Sequence, residues 1–112
     1  MKWVEMIRLR SSPESLARGM SGIVEQTREI SGLPGVEDAM VIKHALYEGD
    51  LAVVLTWDND RRPVRTREGL MVAEQLQRYG MVDHGVWTAA PGFEKDLDCA
   101  AACGKAGETE AG

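Results

Sequence analysis

The feature that most constrains the fold of this chain is the order of its two hydrophobic periodicities. Between Lys2 and Thr88, stretches with apolar residues at every second position alternate with stretches in which they recur every three to four positions. The first spacing is typical of strands and the second is typical of helices. The chain therefore predicts the order strand, helix, strand, strand, helix, strand.

Turn and capping residues predict where these elements begin and end. The strands are predicted at residues 3–9, 39–47, 51–57 and 82–88. Ser12 followed by Pro13 is a typical helix start, because a hydroxyl can cap the helix and proline fits its first turn. Thr66 is the expected cap of the second helix, with Leu70, Ala73 and Leu76 on its apolar side. Gly80 is expected just beyond the end of that helix.

Length and composition indicate one small domain. The chain has 112 residues, of which 44% are hydrophobic, so it can form a single modest core. Its net charge of −5 argues against nucleic-acid partners and acidic membranes. No apolar run approaches the roughly 20 residues of a membrane span. The N-terminal segment lacks a signal-peptide pattern, so we expect a cytoplasmic protein.

The C-terminal segment differs from the rest in composition. Residues 1–91 are expected to form the folded domain, and residues 92–112 a polar, acidic and weakly ordered tail. Both cysteines, Cys99 and Cys103, lie in this tail, so no disulfide framework is expected in the core. Their four-residue spacing would place them on one side of a helix, which leaves a metal or disulfide role open.

The element order predicts a ferredoxin-like α+β fold, because two strand–helix–strand units joined by a hairpin form the split βαβ arrangement. Right-handed crossovers put both helices on one face of a four-stranded antiparallel sheet. The first strand nevertheless carries Trp3, Ile7 and Leu9 on one face and Val4 and Met6 on the other. Leaving the second face wet would expose a large apolar patch. We therefore expect a homodimer in which two sheets pack face to face.

The element order, together with Leu55-Thr56-Trp57 at the end of the third strand, resembles the dimeric α/β-barrel superfamily. Over residues 2–90 the chain is particularly similar to small antibiotic-biosynthesis-monooxygenase-like proteins. The resemblance implies a homodimer with a ligand cleft between each sheet and its helices. Family activities include cofactor-independent oxygenation of polyaromatic substrates, haem degradation and muconolactone-type isomerisation. Trp57 is the one residue that matches the family's oxygenase residues.

The chain departs from the haem-degrading branch of that superfamily. Members of that branch have a histidine on the second helix and an asparagine on the first strand. Here residues 67–79 contain no histidine, and the first strand contains no asparagine. Haem chemistry is therefore not expected, and no cofactor is predicted.

Three residues are candidate catalytic groups: His84, His44 and Glu5. Either histidine could move a proton in a cleft or could be a hydrogen-bonded structural residue. Glu5 lies among large apolar residues, so its carboxylate would be partly desolvated and could act as an acid or base. Alternatively, Glu5 pairs with Lys43 or Arg8, or points to solvent. No metal site is expected, because neither histidine has a carboxylate or cysteine at ligand spacing.

Two residue types are candidate substrate-binding groups. Arg62 and Arg65 belong to an arginine-rich loop before the second helix, where guanidinium groups could bind an anion or remain solvated. Trp57 and Trp87 could stack on a flat apolar ligand, or pack in the core or at a dimer interface.

These residues favour a homodimer that binds a small apolar or aromatic molecule. By resemblance, the leading hypothesis is a cofactor-independent monooxygenase. One alternative is a non-catalytic ligand-binding or regulatory dimer. Another is an isomerase or decarboxylase that holds a small carboxylate with Arg62 and Arg65 and moves a proton with histidine.

Overall fold

The computed structural model of this chain describes residues 1–60, 62–95 and 97. Its elements follow the predicted order: β1 Lys2–Ser11, α1 Pro13–Ser31, β2 Val36–Lys43, β3 Asp50–Asp58, α2 Arg67–Leu76 and β4 Gly80–Thr88. The four strands form one antiparallel sheet in the order β2-β3-β1-β4. The predicted ferredoxin-like α+β fold is confirmed. The expectations for Cys99, Cys103 and residues 98–112 lie outside the described residues.

The core lies between the sheet and the two helices. On β1, residues at alternate positions from Trp3 to Leu9 are buried, and the intervening residues are half-buried or exposed. This alternation is the expected result of covering one face of a strand with helices. The buried apolar cluster comprises Trp3, Ile7, Leu9, Leu16, Ile23, Ile30, Leu51, Val53, Leu55, Trp57, Val72, Ala73 and Leu76.

Both helices begin at the predicted caps. The Ser12 hydroxyl accepts a hydrogen bond from the backbone N–H of Ser15 at the start of α1. Thr66 performs the same role for α2. The prediction that Leu70 lies on the buried side of α2 was wrong, because Leu70 is half-exposed and the buried side begins at Gly69.

Predicted boundaries of β2 and β4 were also wrong, and β2 begins at Val36 rather than at residue 39. Strand β2 ends at Lys43 rather than continuing to residue 47, because the Nδ1 atom of His44 accepts hydrogen bonds from the backbone N–H groups of Leu46 and Tyr47. These bonds turn the chain and take His44 out of the strand. Gly80 is the first residue of β4 instead of the residue after α2. Glycine is needed there because the backbone of β1 lies so close that a Cβ atom would come within 2.1 Å of the Arg10 carbonyl oxygen.

The sheet face opposite the helices, called the open face below, is largely apolar at its centre. It carries Val4, Met6, Met40, Ile42, Val54 and Trp87. Several of its large apolar side chains, such as Ile42 and Trp87, are exposed, and the homodimer expected from its apolar character stays a prediction. Among the described residues, no helix is both long and apolar enough to cross a membrane.

Candidate functional site

A fully buried carboxylate, that of Glu5, lies between the sheet and the N-terminus of α2. Its Oε1 atom accepts hydrogen bonds from the Trp57 indole at 2.9 Å and from the Thr66 hydroxyl at 2.6 Å. Its Oε2 atom accepts a third bond from the Thr66 backbone N–H at 3.0 Å, and lies 2.7 Å from Nε2 of His84. The carboxylate thus joins β1, β3, β4 and the cap of α2.

The strand register explains why these side chains meet. Trp57 lies opposite Trp3 on β3, and His84 lies opposite Ile7 on β4. Trp3 and Ile7 each lie two residues from Glu5 along β1, in opposite directions. Their partners Trp57 and His84 therefore face the helices, as Glu5 does. Neighbouring strands consequently place a hydrogen-bonding side chain diagonally on either side of the carboxylate.

The Thr66 cap explains why the carboxylate fits beneath α2. The Thr66 hydroxyl accepts a hydrogen bond from the backbone N–H of Gly69 at 2.9 Å. In a capping box, a Glu or Gln at this third helical position reaches back to the backbone N–H of the cap. Here that position is glycine, and the Thr66 N–H donates to Glu5 from β1 instead. A Cβ atom on residue 69 would lie only 1.8 Å from Oε2 of Glu5, so the site requires glycine there.

Among the described residues, Nε2 of His84 has a polar partner and Nδ1 has none. Its side chain is only 6% exposed, and Nδ1 is buried without a hydrogen-bond partner among the described residues. The neighbouring Glu5 carboxylate favours the tautomer in which Nε2 carries the hydrogen and donates a hydrogen bond to Oε2. Nδ1 then carries a lone pair that can accept a hydrogen bond or a proton.

The surroundings of the Glu5–His84 pair are aromatic on one side and aliphatic on the other. Trp3 stacks on Trp57, with ring centroids 5.7 Å apart. On β4 the half-buried Val82 and Val86 flank His84. Within the described residues, β4 pairs only with β1, so it forms an outer edge of the sheet.

The structure thus brings together three of the predicted site residues, Glu5, His84 and Trp57. The alternative interpretation expected Glu5 to pair with Lys43 or Arg8. It pairs with neither, because its side chain lies on the helix side of the sheet. The exposed guanidinium of Arg8 instead forms an ion pair with Asp83 on the open face.

The other four candidates lie elsewhere. His44 borders a groove of about 530 Å³ whose walls include Met6, Ile42 and Met81 of the open face. Trp87 is 57% exposed on that same face. The side chains of Arg62 and Arg65 are exposed, and neither is among the groups that bind Glu5. Within the described residues, no group of three or more metal-ligating side chains occurs.

Two residues of the site were not identified from the sequence as site residues. Thr66 was expected only as a helix cap, and Gly69 was not singled out. The signal that could have found them is the glycine three positions after the cap, where a capping box has Glu or Gln.

Comparison with known proteins gives a likeness in structure alone. No family model and no curated protein matches the sequence. Rv0793 from Mycobacterium tuberculosis is 12% identical with a TM-score of 0.62, over 80% of this chain and 96% of that one. An antibiotic biosynthesis monooxygenase is 15% identical with a TM-score of 0.60, over 81% of this chain and 100% of that one. SnoaB, a cofactor-independent oxygenase from Streptomyces nogalater, is 15% identical with a TM-score of 0.54, over 79% of this chain and 92% of that one. The chain therefore has the fold of the antibiotic-biosynthesis-monooxygenase-like proteins.

Proposed function

We propose that this chain binds a small apolar aromatic molecule beside His84 and oxygenates it with O2 without a metal or flavin. The observation that carries the proposal is the buried Nδ1 atom of His84, which has no partner among the described residues, while the other ring nitrogen is held by a buried carboxylate. A carboxylate in that position fixes the tautomer and the orientation of the imidazole, as in catalytic triads. The likeness in fold to a cofactor-independent oxygenase supports the choice of reaction.

The proposed reaction begins with proton transfer. Nδ1 of His84 takes a proton from an electron-rich phenol, whose anion then gives electrons to O2. One oxygen atom bonds to a ring C–H carbon conjugated with the phenolate, the C–H bond breaks, and the oxygen remains as a quinone carbonyl. The other oxygen leaves as water, taking up the two hydrogens that the substrate loses. The substrate is oxidised, O2 is reduced, and His84 returns to its neutral form.

The test is oxygen uptake with a panel of quinol-like and polyphenolic compounds in air, with product identified by mass spectrometry. A general base commonly contributes 10²–10⁴-fold, so His84→Phe is expected to lower kcat/KM by about 100-fold or more. His44→Asn is the matched control, because that exposed histidine lies outside the pair and asparagine can retain its turn. Full activity of His84→Phe, or no turnover across the panel, would contradict the proposal.

The rival function is non-catalytic ligand binding, for which the nearly complete burial of His84 is the favouring observation. It predicts that a ligand raises the melting temperature without forming product. The isomerase alternative gains no support from the geometry, since neither Arg62 nor Arg65 binds the Glu5–His84 pair.

We further propose that the working unit is a homodimer joined through the open face, because this face exposes apolar side chains such as Ile42 and Trp87. Ile42→Glu is expected to give a folded monomer, because a dimer would bury the two new carboxylates, one from each protomer, at the interface. Met71→Glu on α2 is the control, since Met71 is similarly exposed but lies away from the open face. Light scattering after gel filtration measures the mass. A monomeric wild type, or a dimeric Ile42→Glu, would exclude this interface.

A further inference from the structure

We infer that a groove on the open face binds a small amphipathic anion, which is a molecule with an apolar body of about ring size and one carboxylate or sulfonate group. The groove has a volume of about 530 Å³ and lies beside the turn that joins β2 to β3. This volume is within the usual range of small-ligand sites. The groove and the Glu5–His84 pair lie on opposite sides of the sheet, so the inference does not rest on the proposed oxygenation.

The strand register forms the groove. Ala52 on β3 is paired with Arg8 on β1 and with Ile42 on β2. Directly paired residues point to the same face of a sheet, so the short side chain of Ala52 leaves a depression between two longer ones. Met6 and Met81 also line the groove, and methionine side chains adapt to irregular apolar shapes. The lining therefore suits an apolar ring.

The charges around the groove favour an anion. They comprise three cationic side chains and two carboxylates, those of Arg8, Arg10, Lys43, Asp50 and Asp83. With His44 neutral, the lining has a surplus of one positive charge in a chain whose net charge is −5. Asp83 accepts hydrogen bonds from Nε and Nη2 of Arg8. Asp50 lies 3.8 Å from Nε of Arg10, whose remaining donors stay available. Lys43 has no polar partner within the described residues.

His44 adds an uncharged donor to this lining. Its Nδ1 atom accepts hydrogen bonds from the backbone N–H groups of Leu46 and Tyr47, so the neutral ring carries its hydrogen on Nε2. The rings of His44 and Tyr47 are in contact, with centroids 4.6 Å apart, and both line the groove. An anionic group matches these donors, whereas a cationic ligand would find both carboxylates already paired.

The same charges argue that a small ligand, and not a second copy of the chain, occupies this end of the open face. The side chains of Arg8 and Asp83 are 61% and 66% exposed, and that of Arg10 is 83% exposed. A second copy packed into the groove would remove these ion pairs from water, at a desolvation cost that their attraction often fails to repay. A small anion leaves them hydrated. The more apolar part of the open face, with Val4 and Trp87, stays available for a homodimer.

The experiment compares two probes with the same rings, 8-anilino-1-naphthalenesulfonate and N-phenyl-1-naphthylamine, of which only the first has an anionic group. Binding to the full chain is measured by fluorescence titration at one protein concentration. We expect the sulfonate to bind about fivefold or more tightly than the amine at low salt, the usual effect of one exposed charge pair. The preference should shrink in about 0.5 M NaCl, because salt screens exposed charges.

Methionine methyl groups labelled with 13C report where the probe binds. We expect the sulfonate to shift the NMR signals of Met6 and Met81, which line the groove. The signals of Met20 on α1 and Met71 on α2 should stay in place, because both helices pack on the other face of the sheet.

Substitutions separate the charge of the groove from its shape. Arg10→Gln should weaken binding of the sulfonate by about threefold or more and leave binding of the amine unchanged. Arg28→Gln on α1 is the matched control, because it removes the same charge from an exposed residue outside the groove. Ala52→Phe should fill the groove and abolish binding of both probes. Should this variant fail to fold, the methyl shifts in the wild type still test the location.

Four outcomes would overturn the inference. They are equal binding of the two probes, shifts at Met20 or Met71 in place of Met6 and Met81, equal effects of Arg10→Gln and Arg28→Gln, and methyl shifts of Met6 and Met81 on dilution of the protein but not on addition of the probe. The last would show that a second copy fills the groove. Oxygen uptake by the His84 variants tests the proposed function independently of all four.

Discussion

Replacing Gly69 by alanine is the sharpest test of how the Glu5–His84 pair is held. In an ordinary helix this substitution stabilises by about 1 kcal/mol, because alanine has the higher helix propensity. Here the added Cβ atom would lie 1.8 Å from Oε2 and 2.6 Å from Cδ of Glu5. These separations are far below van der Waals contact, so the carboxylate must leave its position.

The expected cost follows from the contacts that the carboxylate would lose. Glu5 has four polar contacts of 2.6–3.0 Å, made with Trp57, His84 and two groups of Thr66. Breaking a buried charged network of this kind costs about 3–5 kcal/mol, and the single contributions do not add. After the gain in helix propensity, Gly69→Ala should destabilise the protein by about 2–4 kcal/mol. For a domain of this size that lowers the melting temperature by about 10 °C or more.

The assay is thermal and urea unfolding at one protein concentration, because a dimer would make the melting temperature depend on concentration. Gly22→Ala in α1 is the matched control. Its Cβ atom would meet only the end of the flexible Gln75 side chain, at 3.0 Å, on an exposed part of the helix. This variant should be as stable as the wild type, or more stable by up to about 1 kcal/mol.

A double-mutant cycle separates the steric explanation from a general weakening of α2. In a Glu5→Ala background the carboxylate is absent, so Gly69→Ala should cost nothing further or should stabilise. The coupling between the two sites should then be about 2 kcal/mol or more. A Gly69→Ala protein that equals or exceeds the wild type in stability would refute the reasoning, as would strict additivity in the cycle.

Two further substitutions test single contacts of the same carboxylate by urea unfolding. Thr66→Val removes a hydroxyl that both caps α2 and donates to Glu5, and should lower the free energy of unfolding by about 2–3 kcal/mol. Thr66→Ser keeps the hydroxyl and should lower it by about 1 kcal/mol or less. Equal losses in the two variants would contradict this. Trp57→Phe keeps an aromatic ring in the stack but removes the indole donor, and should cost about 1–3 kcal/mol. A Trp57→Phe protein of wild-type stability would show that this bond contributes nothing.

Much of the fold could be predicted because its signals are local. The strand character of β1 and the caps Ser12 and Thr66 are visible in a few consecutive residues. The errors arose where a longer-range or side-chain contact decided the boundary. His44 reads as part of a strand in the hydrophobic pattern, but its ring nitrogen accepts two backbone hydrogen bonds and turns the chain. Gly80 reads as a helix stop, but its close approach to the carbonyl of Arg10 places it in β4.

The site was predictable to a lesser degree. Glu5 could be selected because a charged residue in an apolar strand is unusual, and His84 because histidine is rare in this chain. Their contact could not be predicted, because it depends on the register between β1 and β4, which the sequence pattern leaves open. Arg62 and Arg65 were selected by clustering alone, and clustering does not determine whether side chains turn toward a site.

The position of Glu5 argues that the pair does more than stabilise the fold. A capping box would satisfy the Thr66 N–H with a carboxylate on the helix itself, near solvent, at little desolvation cost. This chain instead has glycine at that position and uses a fully buried carboxylate from β1, which also reaches Nε2 of His84. Replacing a buried ionic group by apolar side chains is often neutral or stabilising, so stability alone gives little reason for this arrangement. Its distinctive consequence is that it holds His84 through Nε2 and leaves the buried Nδ1 atom without a partner among the described residues.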